Sequence, residues 1–276
     1  MPEKAKPAAS QPIGIFDSGI GGLTVARAIK ERLPKEKLIY FGDTAHFPYG
    51  DKSADSIKYY AIRIAQFMLD NNCKMIVIAC NTASALAYDT VKDFVGKRAL
   101  VVNVVEPVVS KITAKGHKHK SVGVIATKGT IKSDIYARKI KEADKAIEVT
   151  SLATPLLASM IEEGFFNNKI SRSIINSYLE KPKLKKINAL ILGCTHYPLI
   201  KPEIEEFYKG KVELVDSSDE VAEFVYQQLK KNNLLNSSGN KPIHRFYISD
   251  YTEAFEKSAQ YFFGGKIKLQ EARIWK

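Results

Sequence analysis

Short apolar runs that stop abruptly at polar residues recur along this chain, and they do so twice in the same order. Residues 75–80 read Met-Ile-Val-Ile-Ala-Cys and lead into Asn81 and Thr82. Residues 189–194 read Ala-Leu-Ile-Leu-Gly-Cys and lead into Thr195 and His196. A short run without polar alternation is a strand buried on both faces, as parallel strands are. Strand patterns also fall at 13–17, 38–43, 100–105, 121–126, 147–152, 212–216 and 244–248. Helical patterns separate them, such as 55–71 with apolar residues at 57, 61, 64, 65, 68 and 69. Others fall at 21–33, 83–94, 107–115, 131–142, 155–163, 170–179, 199–208, 218–231 and 251–263. Such alternation predicts an α/β fold with mostly parallel sheets flanked by helices.

The landmarks repeat. Ile-Gly-Ile-Phe-Asp-Ser-Gly at 13–19 aligns with Val-Gly-Val-Ile-Ala-Thr-Lys-Gly from 122. Residues 38–43 align with 148–155, and Pro48-Tyr49-Gly50 falls where the second half has Glu162-Glu163-Gly164. Four landmarks in one order imply an internal duplication, hence two pseudo-symmetric domains. We expect 13–106 together with 217–276 to form a discontinuous first domain, and 107–216 the second. Residues 1–12 have no apolar segment of signal-peptide type and read as a disordered tail.

In open α/β sheets, ligands gather at the carboxyl ends of the strands. Each thiol therefore stands where a substrate would be, and two thiols could approach one small molecule from opposite sides. A free cysteine is usually a buried structural residue. Placement at a strand end before polar residues, repeated in the other half, reverses that reading for Cys80 and Cys194. Cys73 has no counterpart and receives no role. Structural zinc would want closely spaced cysteine pairs, and none is present, so no metal is assigned. The arginine of a Cys-x5-Arg phosphatase is replaced by Leu86 and Ile200.

Asp17-Ser18-Gly19-Ile20-Gly21-Gly22 forms a glycine-rich turn after the first strand, but Thr24 breaks a dinucleotide fingerprint. Asp17 suits an ammonium group, or service as proton partner to a nearby thiol; a helix cap is its other reading. His196, two residues beyond Cys194, can exchange a proton with that thiol, and Glu163 could orient the ring. Ser18, Asn81, Thr82, Thr127 and Thr195 offer hydrogen bonds suited to a carboxylate, or cap the helices they precede.

Three cysteines make no disulfide framework and fit a reducing, cytoplasmic setting. No apolar stretch approaches the ~18 residues a membrane span needs. The formal charge of +12 is scattered, so it reads as solvated surface and not as a nucleic-acid site.

These residues resemble the glutamate racemases of the aspartate/glutamate racemase superfamily. The resemblance runs from about residue 13 to at least 220. It rests on the Asp17–Gly22 turn, Gly42-Asp43, Pro48-Tyr49-Gly50, Cys80-Asn81-Thr82, Glu163-Gly164 and Gly193-Cys194-Thr195-His196-Tyr197-Pro198. It implies a racemase that needs no cofactor, with glutamate between two domains and one thiol on each face. It implies Asp17 as helper to Cys80, His196 as helper to Cys194, and Glu163 in the polar shell. Pro48, Tyr49, Gly50 and the hydroxyl and amide residues named above would bind substrate. It further implies a homodimer and a supply of D-glutamate for peptidoglycan. Two rivals stay open: another racemase of the superfamily, and a binding protein that uses the cleft without chemistry.

Overall fold

The computed structural model describes residues 7–275. Ten strands and eleven α-helices alternate along it. The strands are β1 (Ile13–Asp17), β2 (Leu38–Gly42), β3 (Met75–Ile78), β4 (Leu100–Asn103), β5 (Ser121–Ala126), β6 (Glu148–Ala153), β7 (Ala189–Gly193), β8 (Glu213–Asp216), β9 (Arg245–Ile248) and β10 (Leu269–Glu271). The helices are α1 (Leu23–Arg32), α2 (Ala54–Asp70), α3 (Asn81–Val95), α4 (Val105–Ile112), α5 (Lys128–Lys132), α6 (Ile135–Ala143), α7 (Pro155–Glu162), α8 (Lys169–Leu179), α9 (Lys201–Tyr208), α10 (Ser217–Lys231) and α11 (Glu253–Phe263).

Two sheets form, and every pair of neighbouring strands runs parallel. One has the order β10-β9-β2-β1-β3-β4 and the other β6-β5-β7-β8. The runs β2-β1-β3-β4 and β6-β5-β7-β8 are the same topology twice, which is the duplication read from the landmarks. The second sheet uses 121–216, while β9 and β10 add to the outer edge of the first. Helices α10 and α11 pack on α1.

Alternation within a strand sends neighbouring side chains to opposite faces. Phe16, Phe41, Ile76 and Ile78 pack with α2 and α3 on one side of the first sheet. Ile13, Ile15, Tyr40 and Val77 pack with α1 on the other, in a core that continues through Ile161 and Tyr197 to Leu190 and Leu192 of the second half. The stripe Ile57, Ala61, Ile64, Ala65 and Met68 seats α2, whose start is capped by Ser53 accepting from the Ser56 amide at 3.2 Å. Among the described residues no helix is long and apolar enough to cross a membrane.

Several boundaries differ from expectation for local reasons. β3 ends at Ile78 because Cys80 becomes the cap of α3, its sulfur accepting from the Ala83 amide at 3.5 Å. β4 ends at Asn103, whose side-chain oxygen accepts from the amides of Val105 and Glu106, each at 2.9 Å, and starts α4. The helix expected over 131–142 is divided, because Asp134 adopts a left-handed φ of 54° between α5 and α6. β10 was not expected at all.

The amino-terminal tail also needs correction. Residues 1–6 lie outside the described residues, but 7–12 lie against the fold and are not a free tail. The Lys74 amide donates to the Pro12 carbonyl at 2.9 Å. Its ammonium, fully buried, donates to Glu36 Oε2 at 2.6 Å, the Ala9 carbonyl at 2.5 Å and the Leu234 carbonyl at 2.8 Å. Three acceptors match the three N–H bonds of a lysine.

Candidate active site

The central strands of the two sheets end facing one another. In the first, β1 and β3 are neighbours, so Asp17 and the Ala79-Cys80 turn emerge side by side. In the second, β5 and β7 are neighbours with Ala126 level with Gly193, so Thr127 and Cys194 emerge together. A small cavity of about 20 Å³ lies between these ends. That is room for about one water.

The cavity is lined by Ser18, Phe47, Pro48, Tyr49, Gly50, Cys80, Asn81, Thr82, Thr127, Ala158, Gly193, Cys194, Thr195 and His196. Both thiols are buried, 5% and 6% exposed, and both open on this one space. A larger groove of about 730 Å³ runs beside α3, α4 and α6, but it holds neither thiol. Its walls carry Lys92, Arg138, Glu106 and Glu142, and we do not assign the chemistry there.

The two thiols have different surroundings despite their matching positions. Cys80 donates to Ser18 Oγ at 3.6 Å and sits at the amino end of α3. Burial pushes its pKa up to about 12, and the nearby Asp17 carboxylate adds to the rise. The Ala83 amide and the Ser18 hydroxyl pull the other way and are outweighed. Asp17 does not line the cavity. It lies just beneath, fully buried, accepting from the Gly19 amide at 3.1 Å and from the Thr195 hydroxyl at 3.2 Å. Burial raises its pKa against the opposing pull of His196.

Cys194 faces His196 instead, with Sγ 3.6 Å from Nδ1. The other ring nitrogen, Nε2, meets a carboxylate, and that carboxylate is Glu162. Burial alone would lower the imidazole pKa, but Glu162 and the Cys194 side chain prevail and hold it well above the ordinary value. The approach of the ring to the first half needs a glycine. A Cβ at Gly21 would stand 2.5 Å from the His196 ring.

The expectation for Glu163 is therefore corrected. Glu163 is exposed at the end of α7, whereas Glu162 is 6% exposed and turned inward. Helical phase explains the difference. Ala158 lines the cavity, and Glu162 lies four residues on, on the same face; Glu163 lies five on and points away. That spacing was available in the sequence.

Hydroxyls and amides complete the walls. The Thr82 hydroxyl meets Thr127 Oγ1 at 2.9 Å and Thr130 Oγ1 at 3.2 Å, joining the start of α3 to the start of α5. Tyr49 donates to the buried Asp43 at 2.7 Å, which also accepts from Ser249 at 2.8 Å. This ties the Pro48-Tyr49-Gly50 segment to the residue that follows β9. A Cβ at Gly50 would come within 2.6 Å of Thr127, so only glycine allows this approach between the halves. Phe47 and Ala158 line the space as well; as apolar residues they carry no chemical signal in the sequence.

Comparison with known proteins bears on this geometry. Residues 17–225 match the Asp/Glu/Hydantoin racemase family. The chain is 40% identical over 255 residues to a glutamate racemase of Geobacter metallireducens, covering 92% of this chain and 93% of that protein. It is 41% identical over 261 residues to a glutamate racemase of Neisseria meningitidis serogroup A, covering 95% and 96%. The crystal structure of Francisella tularensis glutamate racemase in complex with D-glutamate superposes with a TM-score of 0.90 at 40% identity, over 97% of this chain and 99% of that one.

Proposed function

Since the chain belongs to the Asp/Glu/Hydantoin racemase family and is an isomerase of the racemase class, we propose that it interconverts L- and D-glutamate with two cysteine bases. The observation that carries this reading is the pair of thiols at equivalent strand ends opening on one cavity. Racemisation removes the α-proton from one face and returns a proton to the other. Two fixed bases do this without either crossing the substrate. The names of the relatives and of the superposed complex support glutamate as the substrate. The product would serve peptidoglycan synthesis.

The surroundings suggest how each thiol is supplied with its proton. At Cys194 the imidazole, made more basic by Glu162, accepts or returns the thiol proton through Nδ1. At Cys80 the resting site disfavours a thiolate. A substrate ammonium entering the cavity near Cys80 brings a positive charge that lowers this cost. Unpaired donors such as the Asn81 amide nitrogen then remain for a carboxylate. A cavity of about 20 Å³ is too small for an amino acid, so its walls part for entry.

The test is proton bookkeeping in deuterated water. L-glutamate converted briefly should give D-glutamate carrying deuterium at the α-carbon, while recovered L-glutamate stays largely unlabelled. The delivering thiol has exchanged with solvent beforehand and is not the one that took the proton. Abundant protium in the early product would point to a single base and defeat the proposal.

The glutamate pair supplies a second check. Glu162→Gln should reduce kcat about 10–100-fold, because a neutral partner no longer raises the basicity of His196. Glu163→Gln should stay within about twofold of the parent, as expected of an exposed surface residue. Equal losses in steady-state racemisation, followed by circular dichroism, would contradict the assignment of Glu162.

A further inference from the structure

We propose that Tyr136 is a positioning residue, fixing the Asn81 amide so that its NH2 faces the substrate cavity. The inference rests on the racemase reading and concerns a side chain that lies outside the cavity wall. Tyr136 belongs to α6, in the second half; Asn81 opens α3, in the first. The Tyr136 hydroxyl donates to Asn81 Oδ1 at 2.6 Å. Both residues are buried, 3% and 2% exposed. Asn81 Nδ2 is buried and has no hydrogen-bond partner among the described residues, although Asn81 lines the cavity.

A side-chain amide can turn over and exchange its oxygen and nitrogen. A tyrosine hydroxyl that donates selects the oxygen, and the NH2 is then aimed elsewhere. An unpaired buried NH2 is costly, so it is held there against a gradient that favours pairing. An acceptor on the ligand, such as a carboxylate oxygen, would satisfy it. Burial keeps the phenol neutral and therefore able to donate. The same ring also lies near the second thiol strand, since a Cβ on Gly193 would be 3.5 Å from Tyr136 Cε2. One side chain thus reaches the residue after Cys80 and the residue before Cys194. Because its bond crosses from one half to the other, the amide is set only when the halves are together.

Tyr136→Phe keeps the ring and removes the donor. The expected result is a rise in KM for glutamate of about tenfold in both directions, with kcat changed less than about threefold. In an Asn81→Ala background, Tyr136→Phe should have no further effect, because the tyrosine acts through that amide. Additive effects, or an unchanged KM, would overturn the proposal. A second measurement does not need activity. The Asn81 side-chain amide signals in a 15N–1H spectrum, identified by their loss in Asn81→Ala, should shift in Tyr136→Phe. In the wild-type protein, a strong Overhauser contact between those amide protons and the Tyr136 ring would mean that nitrogen faces the phenol, and would also overturn it. Should the wild-type chain fail to racemise glutamate, the racemase reading falls, while the spectra still decide the role of Tyr136.

Discussion

Cys80→Ala and Cys194→Ala are each expected to lower racemisation by about a thousandfold or more, the scale at which a required proton-transfer group acts. Both side chains are small and sit at the cavity wall, so alanine leaves the packing of β3 and β7 nearly intact. Melting curves should accordingly move little. The two variants should differ in one informative respect. A single remaining thiol can still remove a proton from its own face, so each variant should exchange the α-proton of one enantiomer with solvent faster than the other, and in opposite senses. Cys73→Ala is the control. Cys73 is buried against Met68 and Gly14, away from the cavity, and burial pushes its pKa up to about 12. Its loss should leave turnover unchanged. Near-normal racemisation by either strand-end variant would refute the two-thiol assignment.

The second large effect is on stability. Glu36→Ala should cost about 3–5 kcal/mol, because it strands the Lys74 ammonium in the interior with no counter-charge. For a chain of this size that lowers the melting temperature by roughly 5–9 °C. The pH dependence has a definite sign. Burial lowers the Lys74 pKa, and Glu36 opposes that shift. Without Glu36 the folded-state pKa falls further below the unfolded one, so the unfolded chain binds more protons between the two values. Stability then rises with pH across that window, and the deficit shrinks toward the ordinary lysine range. Lys74→Met combined with Glu36→Leu should restore only part of the loss, since the apolar pair removes the unpaired charge but leaves the Ala9 and Leu234 carbonyls and the Asn236 amide without their partners. A Glu36→Ala variant melting within about 2 °C of the parent would show that the pair is not the anchor described.

Much of the fold is legible in the sequence because its central strands are buried on both faces. Residues 13–16, 75–78 and 189–193 are apolar throughout and lead into polar residues, so position and chemistry are read together. β10 is different. Leu269-Gln270-Glu271 carries one apolar residue, and its strand state comes from backbone pairing with β9 at the sheet edge. No composition announces such pairing. The break at Asp134 is equally silent, being a matter of one φ angle inside a helical pattern. At the site, the thiols, His196 and the hydroxyls are legible because the strand ends bring them together. Glu162 and Glu163 share one acidic motif, and only helical phase, counted from Ala158, separates the inward residue from the exposed one. Tyr136 was invisible for another reason: its partner lies 55 residues away, across the two halves.

The insertion of β9 beside β2 has a consequence for how the polypeptide acquires its shape during synthesis. The second sheet draws on one continuous stretch, 121–216, and can close as soon as that stretch has left the ribosome. The first cannot. Until residues 245–248 arrive, β2 presents a row of unpaired backbone groups, and Asp43 lacks its bond from Ser249. The segment made early therefore waits, edge open, for the segment made late, while its neighbour is already complete. The Asp43 carboxylate that holds Tyr49 at the cavity wall therefore gains its second bond only after the segment ending at Ser249 has docked.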